Sequence, residues 1–168
     1  MAIVIILLRA LHILGGIFWA GATVVVYGFV VPSARAVQPD GARFMRQLTA
    51  RSGLASWMTV ANAACLVGGL VLFSPVSGHF DRDWMGSTRG IVLSVGALIG
   101  LLASLEGLAF LGPTSRKLGA LAIAAGDSPS PEQAKRLAEL QGKLARSGMR
   151  GAWMVMFAAA LMAVARYV

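Results

Sequence analysis

Four long apolar runs constrain this chain more than any other feature of its sequence. They extend over residues 10–31, 54–73, 91–111 and 151–164. A helix needs about 20 mostly apolar residues to cross a hydrocarbon core about 30 Å thick. The fourth run reaches that length when Arg150 and Arg166 at its ends extend to the headgroups. Only 13% of the residues are charged, whereas a soluble domain carries about 25%, so we predict an integral membrane protein.

The expected fold is all-α, a four-helix up-and-down bundle in a single transmembrane domain over residues 1–168. The predicted spans cover about residues 5–30, 54–74, 90–112 and 149–167. The first run is too long for a signal-peptide core and no basic stretch precedes it, so we expect a retained span. The only cysteine, Cys65, lies inside the second span, which excludes a disulfide framework or a Cys-rich metal site within one chain.

Basic residues are distributed unevenly between the two predicted faces. The chain has 15 Lys and Arg against 7 Asp and Glu, and eleven of the 15 lie in the first and third loops or at the start of span four. The positive-inside rule therefore predicts both termini outside and these loops in the cytoplasm of a bacterial inner membrane. Because the charges lie at helix ends, we expect lipid headgroups and not nucleic acid as their partner. The eleven residues are Arg35, Arg43, Arg46, Arg51, Arg116, Lys117, Lys135, Arg136, Lys143, Arg146 and Arg150.

Two loop segments have helical patterns of their own. Ser130, followed by Pro131 and by Gln133 three residues on, is a capping-box arrangement. It predicts a short amphipathic cytoplasmic helix before the fourth span, with leucines at 137, 140 and 144 on one face. In residues 41–51 of the first loop, apolar and basic residues alternate in a similar way. Both segments are expected to lie on the bilayer surface or, alternatively, to be solvated connectors.

Polar side chains inside the spans are the candidates for function, because a polar group in hydrocarbon is costly unless it is paired or useful. Arg9, His12 and Arg166 lie toward the predicted outer face. Asn62 and Glu106 lie toward the inner face, with Glu106 about 10 Å from the inner boundary at a rise of 1.5 Å per residue. The intramembrane polar residues therefore form an outer and an inner cluster.

The outer cluster suggests a haem site. His12, Gly15, Gly16 and Trp19 share one helical face, and glycines one turn from an imidazole leave space for a flat ring. On this interpretation His12 ligates haem b, and Arg9 and Arg166 hold its carboxylates. The alternative is that His12 hydrogen-bonds a neighbouring helix and the glycines permit tight packing.

The second iron ligand has several candidates. His79 would serve only if its loop folds into the bundle, and Met162 lies one turn before Arg166. In a homodimer, His12 of a second protomer would serve, and the position is otherwise open. His79, Asp81 and Asp83 together with His12 also permit a copper or zinc site, although a plain solvated loop is the favoured explanation of this string.

Glu106 is the only acidic residue inside a span. It is either a proton-handling or cation-binding group, with Asn62 as its hydrogen-bond neighbour, or a counter-charge to Arg150 that fixes span three against span four. Gly96, Gly100 and Gly107 nearby form a small-residue stripe, which is typical of close helix packing.

One segment of span one carries a family resemblance. The run Leu11-His12-Ile-Leu-Gly-Gly-Ile-Phe-Trp19-Ala-Gly21 resembles the first helix of the copper-resistance-D (CopD-like) and HemJ-like membrane proteins. Pieces at residues 32–35, 112–117 and 162–167 are similar to the ends of helices one, three and four in those proteins.

This resemblance implies two different functions. HemJ-like proteins bind haem b through a helix-one histidine and are linked to the oxidation of protoporphyrinogen, which implies iron ligation by His12. This chain has no lysine inside a span to match their basic residue near the ring, which argues against oxidase activity. CopD-like proteins are implicated in copper uptake, for which His12, His79 and Met162 or Met85 are the available ligands.

The sequence therefore leaves three classes of function open. The first is haem b binding for electron transfer or tetrapyrrole handling, with a redox protein or a quinone as partner. The second is copper or other metal-ion handling. The third is a non-catalytic accessory subunit of a membrane complex. Whether the protein is an enzyme is undecided from the sequence, since no nucleophile with a base and no phosphate loop occurs.

Overall fold

Helices account for all regular structure in the described part of the chain. The computed structural model describes residues 2–126 and 128–168, with two π-helical turns at Val26–Val30 and Gly107–Leu111 and a 3-10 turn at Ala165–Tyr167. The all-α class is thereby confirmed. The α-helices are α1 (Ala2–Val25), α2 (Val31–Ala36), α3 (Asp40–Ala50), α4 (Leu54–Val76), α5 (Arg82–Gly86), α6 (Thr88–Glu106), α7 (Gly112–Ala125) and α8 (Pro131–Val164).

Four continuous helices are long and apolar enough to cross a membrane. They cover Ile3–Ala36, Leu54–Val76, Thr88–Ala125 and Pro131–Tyr167. The four predicted spans lie within them, which supports a multi-pass membrane protein. The first and third helices are longer than the predicted spans because α1 continues into α2, and α6 into α7, through the π turns.

A proline explains each π turn. Pro32 and Pro113 lie two residues beyond the turns, and a proline ring clashes with the carbonyl four residues earlier and has no N–H to donate. The backbone instead forms wider bonds over five residues, from the Val31 N–H to the Val26 carbonyl and from the Gly112 N–H to the Gly107 carbonyl. The helices therefore continue past both prolines without a break.

The two π turns belong to an internal repeat that our sequence reasoning missed. Phe29-Val-Val-Pro-Ser-Ala-Arg35 and Phe110-Leu-Gly-Pro-Thr-Ser-Arg116 align without a gap. The same offset relates Gly15 of α1 to Gly96 of α6. The bundle accordingly consists of two similar helical hairpins, in which α1 packs mainly on α4 and α6 packs mainly on α8.

Equivalent glycines hold each hairpin together. A Cβ on Gly15 would lie 3.0 Å from the Ala61 carbonyl oxygen of α4, and one on Gly96 would lie 3.2 Å from the Ala158 carbonyl oxygen of α8. These distances are shorter than almost all real Cβ contacts, so only glycine permits this approach. The neighbours also correspond in order, with Ala61, Ala64 and Cys65 at Gly15 and Ala158, Leu161 and Met162 at Gly96.

The predicted helix before span four begins as expected but does not end there. Ser130 accepts a bond from the Gln133 N–H, and the Gln133 side chain accepts one from the Ser130 N–H, so the capping box is confirmed. A separate short helix is wrong, because α8 continues for 34 residues into the fourth span. No proline follows Pro131 within α8 to end it. Leu140 and Leu144 of its first half are buried against Leu118 of α7.

Candidate functional site

His12 of α1 is fixed by a hydrogen bond to α4. Its Nδ1 lies 2.7 Å from the carbonyl oxygen of Cys65. Because a carbonyl only accepts, Nδ1 is the donor in this bond, and Nε2 is the ring nitrogen that remains available to a ligand. The side chain is half-buried, so the bond to α4 orients the imidazole without covering it fully.

Two glycines of α4 provide the space that the imidazole occupies. A Cβ on Gly69 would lie 2.8 Å from His12 Cε1, and one on Gly68 would lie 3.1 Å from His12 Cβ. An alanine at residue 69 would therefore push the ring aside. The position of His12 thus depends on Gly68 and Gly69, which the sequence interpretation did not single out.

The glycines that were expected to make room for a flat ligand face α4 instead. Gly15 is close to Ala61, and a Cβ on Gly16 would lie 3.3 Å from the Cys65 sulfur. The space next to these two glycines is therefore filled by a helix. Close helix packing is the usual role of small residues in membrane spans, and it explains why the expected slot is closed on this side.

The remaining residues of the predicted outer site lie in different surroundings. Arg9 and Arg166 are exposed, and the Arg166 guanidinium lies 5.1 Å from the ring centre of its neighbour Tyr167. Met162 packs against Gly96 and Gly100 of α6. Trp19 lines a cavity in the middle of the bundle. The described contacts therefore group His12, Gly15 and Gly16 around α4 and place Met162 in the other hairpin.

Cys65 is a neighbour of His12 that sequence reasoning treated only as a small apolar residue. Its sulfur lies 3.6 Å from His12 Nδ1. A thiol and an imidazole are brought together although 53 positions separate them in the chain. Gly68 and Gly69, one turn beyond Cys65, are the sequence signal that a bulky side chain packs at this point of span two.

The loop between α4 and α5 holds His79 outside the bundle. His79 is exposed and has a φ of 61°. Its Nδ1 lies 3.1 Å from the Ser74 hydroxyl oxygen. Among the described residues, no group of three or more His, Cys, Asp and Glu side chains could hold a metal ion. The loop therefore does not approach His12 to complete a site.

Asn62 forms a buried pair with Ser104 that joins the two hairpins. The amide is 2% exposed, and its Nδ2 donates to the Ser104 carbonyl at 3.1 Å. The Ser104 hydroxyl in turn donates to Asn62 Oδ1. Ser104, and not the expected Glu106, is thus the partner of Asn62. An amide in hydrocarbon needs a partner. The serines and threonines of span three were therefore the sequence feature that could have indicated the partner of Asn62.

Glu106 forms an ion pair with Arg150, which is one of the two expected arrangements. Arg150 Nη2 donates to Glu106 Oε1 and so links α6 to α8. The Glu106 side chain is 16% exposed, whereas that of Arg150 is 65% exposed. The pair therefore lies at the edge of the bundle and not at its centre.

A small cavity lies between the two hairpins, next to the Asn62–Ser104 pair. We call it the central cavity; its volume is about 60 Å³, enough for about four waters. Its polar lining comes from Thr23, Tyr27, Thr59, Asn62 and Ser115, with Trp19 beside them. The π turn borders it, since a Cβ on Gly107 would lie 2.6 Å from Asn62 Nδ2.

Comparisons of this chain with protein-family models, with curated proteins and with solved structures find no match. The resemblance to CopD-like and HemJ-like proteins therefore depends on the motifs of the sequence alone. Any function must be argued from the residues themselves.

Proposed function

We propose that this chain is a multi-pass membrane protein that binds haem b through Nε2 of His12, for electron transfer or tetrapyrrole handling. The observation that carries the proposal is the bond from His12 Nδ1 to the Cys65 carbonyl. Histidines that ligate a metal generally donate their other ring nitrogen to a carbonyl or carboxylate, which fixes the tautomer and aims the ligand. His12 has this arrangement and a half-buried ring.

The surroundings of His12 fit haem on one side only. α4 covers Gly15 and Gly16, so a porphyrin has room only where α4 leaves α1 open. The most apolar part of the first span contains no buried residue, which provides open apolar surface for a ring or for a second protomer. The guanidinium groups of Arg9 and Arg166 are exposed and make no ion pair with a described residue, so they are free to pair with propionates. Haem would supply a one-electron iron couple.

The charge distribution supports an orientation in which this site lies near the outer face of a bacterial inner membrane. Eleven of the 15 basic residues lie in the first and third loops or at the start of span four. The positive-inside rule then places these loops in the cytoplasm and both termini outside. In this orientation His12, in the first half of α1, is closer to the outer face.

Copper handling is a second candidate, and the pairing of His12 with Cys65 favours it. Thiolate and imidazole ligands suit Cu(I), and the two side chains lie 3.6 Å apart. This pair would supply two ligands. The nitrogen nearest the Cys65 sulfur is Nδ1, which is bonded to the Cys65 carbonyl. To ligate a metal beside the sulfur, Nδ1 would have to give up this bond, or the imidazole would have to rotate.

The visible absorbance of the detergent-purified protein, oxidised and reduced, tests the haem proposal. We expect a Soret band in the wild type expressed with ample haem supply, and its loss in His12→Ala. His79→Ala is the matched control and should leave the spectrum unchanged, because that side chain lies outside the bundle. Gly69→Ala should lower haem occupancy or shift the band, because it displaces the imidazole without removing it.

Cys65→Ala separates the two candidates. The bond to His12 uses the backbone carbonyl, so this variant should keep its haem but lose any Cu(I) bound through the thiol. A colourless wild-type protein, or full haem content in a folded His12→Ala variant, would contradict haem ligation by His12. Stoichiometric Cu(I) binding that disappears in Cys65→Ala would establish the second candidate instead.

A further inference from the structure

A second cavity lies at the face of the bundle that carries the basic loops, away from His12. We call it the basic-face cavity; its volume is about 110 Å³. It lies where α2, α3, α7 and the first half of α8 meet the start of α4. Most of its wall is aliphatic or Met side chains, including Val31, Leu48 and Leu144. Among the described residues, no Asp or Glu lines it. Its polar lining is Tyr27, Arg35, Gln38, Arg46, Thr49, Ser115 and Gln141.

Two arginines give this cavity its charge. Arg35 lies in the last turn of the first long helix, is exposed, and makes no hydrogen bond or ion pair with a described residue. Arg46 of α3 is held in place, with Nη1 donating to the Gly126 carbonyl at 2.9 Å. The exposed guanidinium of Arg35, beside apolar walls, favours an anionic group that also carries apolar surface.

Tyr27 extends the cavity toward the centre of the bundle. Its ring lies so close to α8 that a Cβ on Gly148 would overlap the ring carbons. Tyr27, Ala55, Met58 and Ser115 line both this cavity and the central cavity. The Tyr27 hydroxyl makes no hydrogen bond with the described residues. The two spaces are therefore adjacent.

We propose that the basic-face cavity binds a single-chain anionic amphiphile, with its carboxylate or phosphate at Arg35 and its acyl chain along the apolar walls toward Tyr27. Charge complementarity carries this assignment, since the described lining has arginines and no acid. An inorganic anion would leave the apolar wall unused. A neutral ligand such as a quinone would leave the Arg35 guanidinium unpaired.

Native mass spectrometry of the full chain in a neutral maltoside detergent tests the proposal. The probes are hexadecanoic acid, 1-hexadecanol, lysophosphatidic acid and inorganic phosphate. We expect one molecule of the acid or of lysophosphatidic acid per chain and affinity for the alcohol at least about tenfold weaker, as expected for loss of a charge-assisted hydrogen bond. The tighter of the two acidic probes identifies whether a carboxylate or a phosphate is preferred.

Arg35→Gln and Arg43→Gln form the matched pair of variants. Arg43 is also an exposed arginine of this face, but it pairs with Asp40 at 3.5 Å and does not line the cavity. Arg35→Gln should weaken binding of the acid about tenfold and leave hexadecanol unchanged, whereas Arg43→Gln should change neither. Ala145→Phe should block all chain-bearing probes by filling the cavity.

Equal affinity for the acid and the alcohol, or equal effects of the two arginine variants, would overturn the proposal. Competition by inorganic phosphate at the same affinity as the acid would also overturn it, since the site would then recognise an anion alone. If Ala145→Phe does not fold, the arginine pair still decides, because both of those side chains are exposed and their variants should keep the melting temperature of the wild type.

Discussion

The two hairpins of this protein share a packing scheme but differ in their polar residues. Gly15 and Gly96 occupy equivalent positions, and both hairpins have a π turn before a proline. The first hairpin carries His12, Cys65 and Tyr27. The equivalent positions of the second hairpin carry Leu93, Met162 and Leu108. The repeated features are thus those that form a hairpin, while the side chains with a reactive or hydrogen-bonding group differ.

The helices make one kind of contact within a hairpin and another kind between the hairpins. Within a hairpin, glycines allow backbones to approach, and such packing is a main source of helix association in lipid. Between the hairpins, Asn62 bonds Ser104 and the Tyr27 ring packs on Gly148. The central cavity lies at this second kind of contact, where packing is less tight. Sites for ligands are therefore expected between the hairpins or on their open faces.

The largest effect is expected from enlarging the equivalent glycines. Gly15→Leu and Gly96→Leu each force a side chain against a backbone carbonyl of the partner helix, and we expect each to destabilise the protein by about 3 kcal/mol. Unfolding in SDS, followed by circular dichroism, measures the loss. Gly21→Leu is the control, because a Cβ there meets nothing within 4 Å. Tolerance of leucine at only one of the two positions would show that the hairpins do not share their packing.

A smaller effect is expected at the contact between the hairpins. Asn62→Leu and Ser104→Ala should each cost about 1 kcal/mol, as is typical of hydrogen bonds between membrane helices. The double variant should lose little more than Asn62→Leu alone, because Asn62→Leu already removes both bonds of the pair. The same unfolding assay applies. Thr59→Val serves as control, since that hydroxyl donates within its own helix to the Ala55 carbonyl. A double variant that loses the sum of both single effects would contradict the pair.

The four spans and the capping box at Ser130 were predictable because each depends on local sequence. Apolar length and a cap residue act within one segment, so neither needs knowledge of the rest of the chain. The continuity of α8 was not predicted, because the helix that begins at the capping box was expected to be short and to lie before the fourth span. A helix needs a residue that stops it, and a change of composition does not supply one.

The contacts of the candidate site were harder to predict because each joins residues distant in the sequence. His12 was singled out as a polar residue of a predicted span, but its partner is a backbone carbonyl, and any residue provides one. The glycines at 15 and 16 were interpreted as space for a ligand, whereas α4 fills that space. A gap left by a small residue looks the same in sequence whether a helix or a ligand occupies it.

The smallest effect is expected from the ion pair inside the second hairpin. Glu106→Gln and Arg150→Gln should each lower the melting temperature slightly, because the Arg150 side chain is 65% exposed and solvent screens the pair. Thermal unfolding of both single variants and the double variant gives the coupling, which should be favourable, so that the double variant loses less than the sum. Arg146→Gln is the matched control, since Arg146 is exposed and bonds to no described residue. Strict additivity would show that the two charges act independently. If the effects are additive, Glu106 is available for proton transfer. In that case Glu106→Gln should abolish proton transfer while the melting temperature stays nearly unchanged.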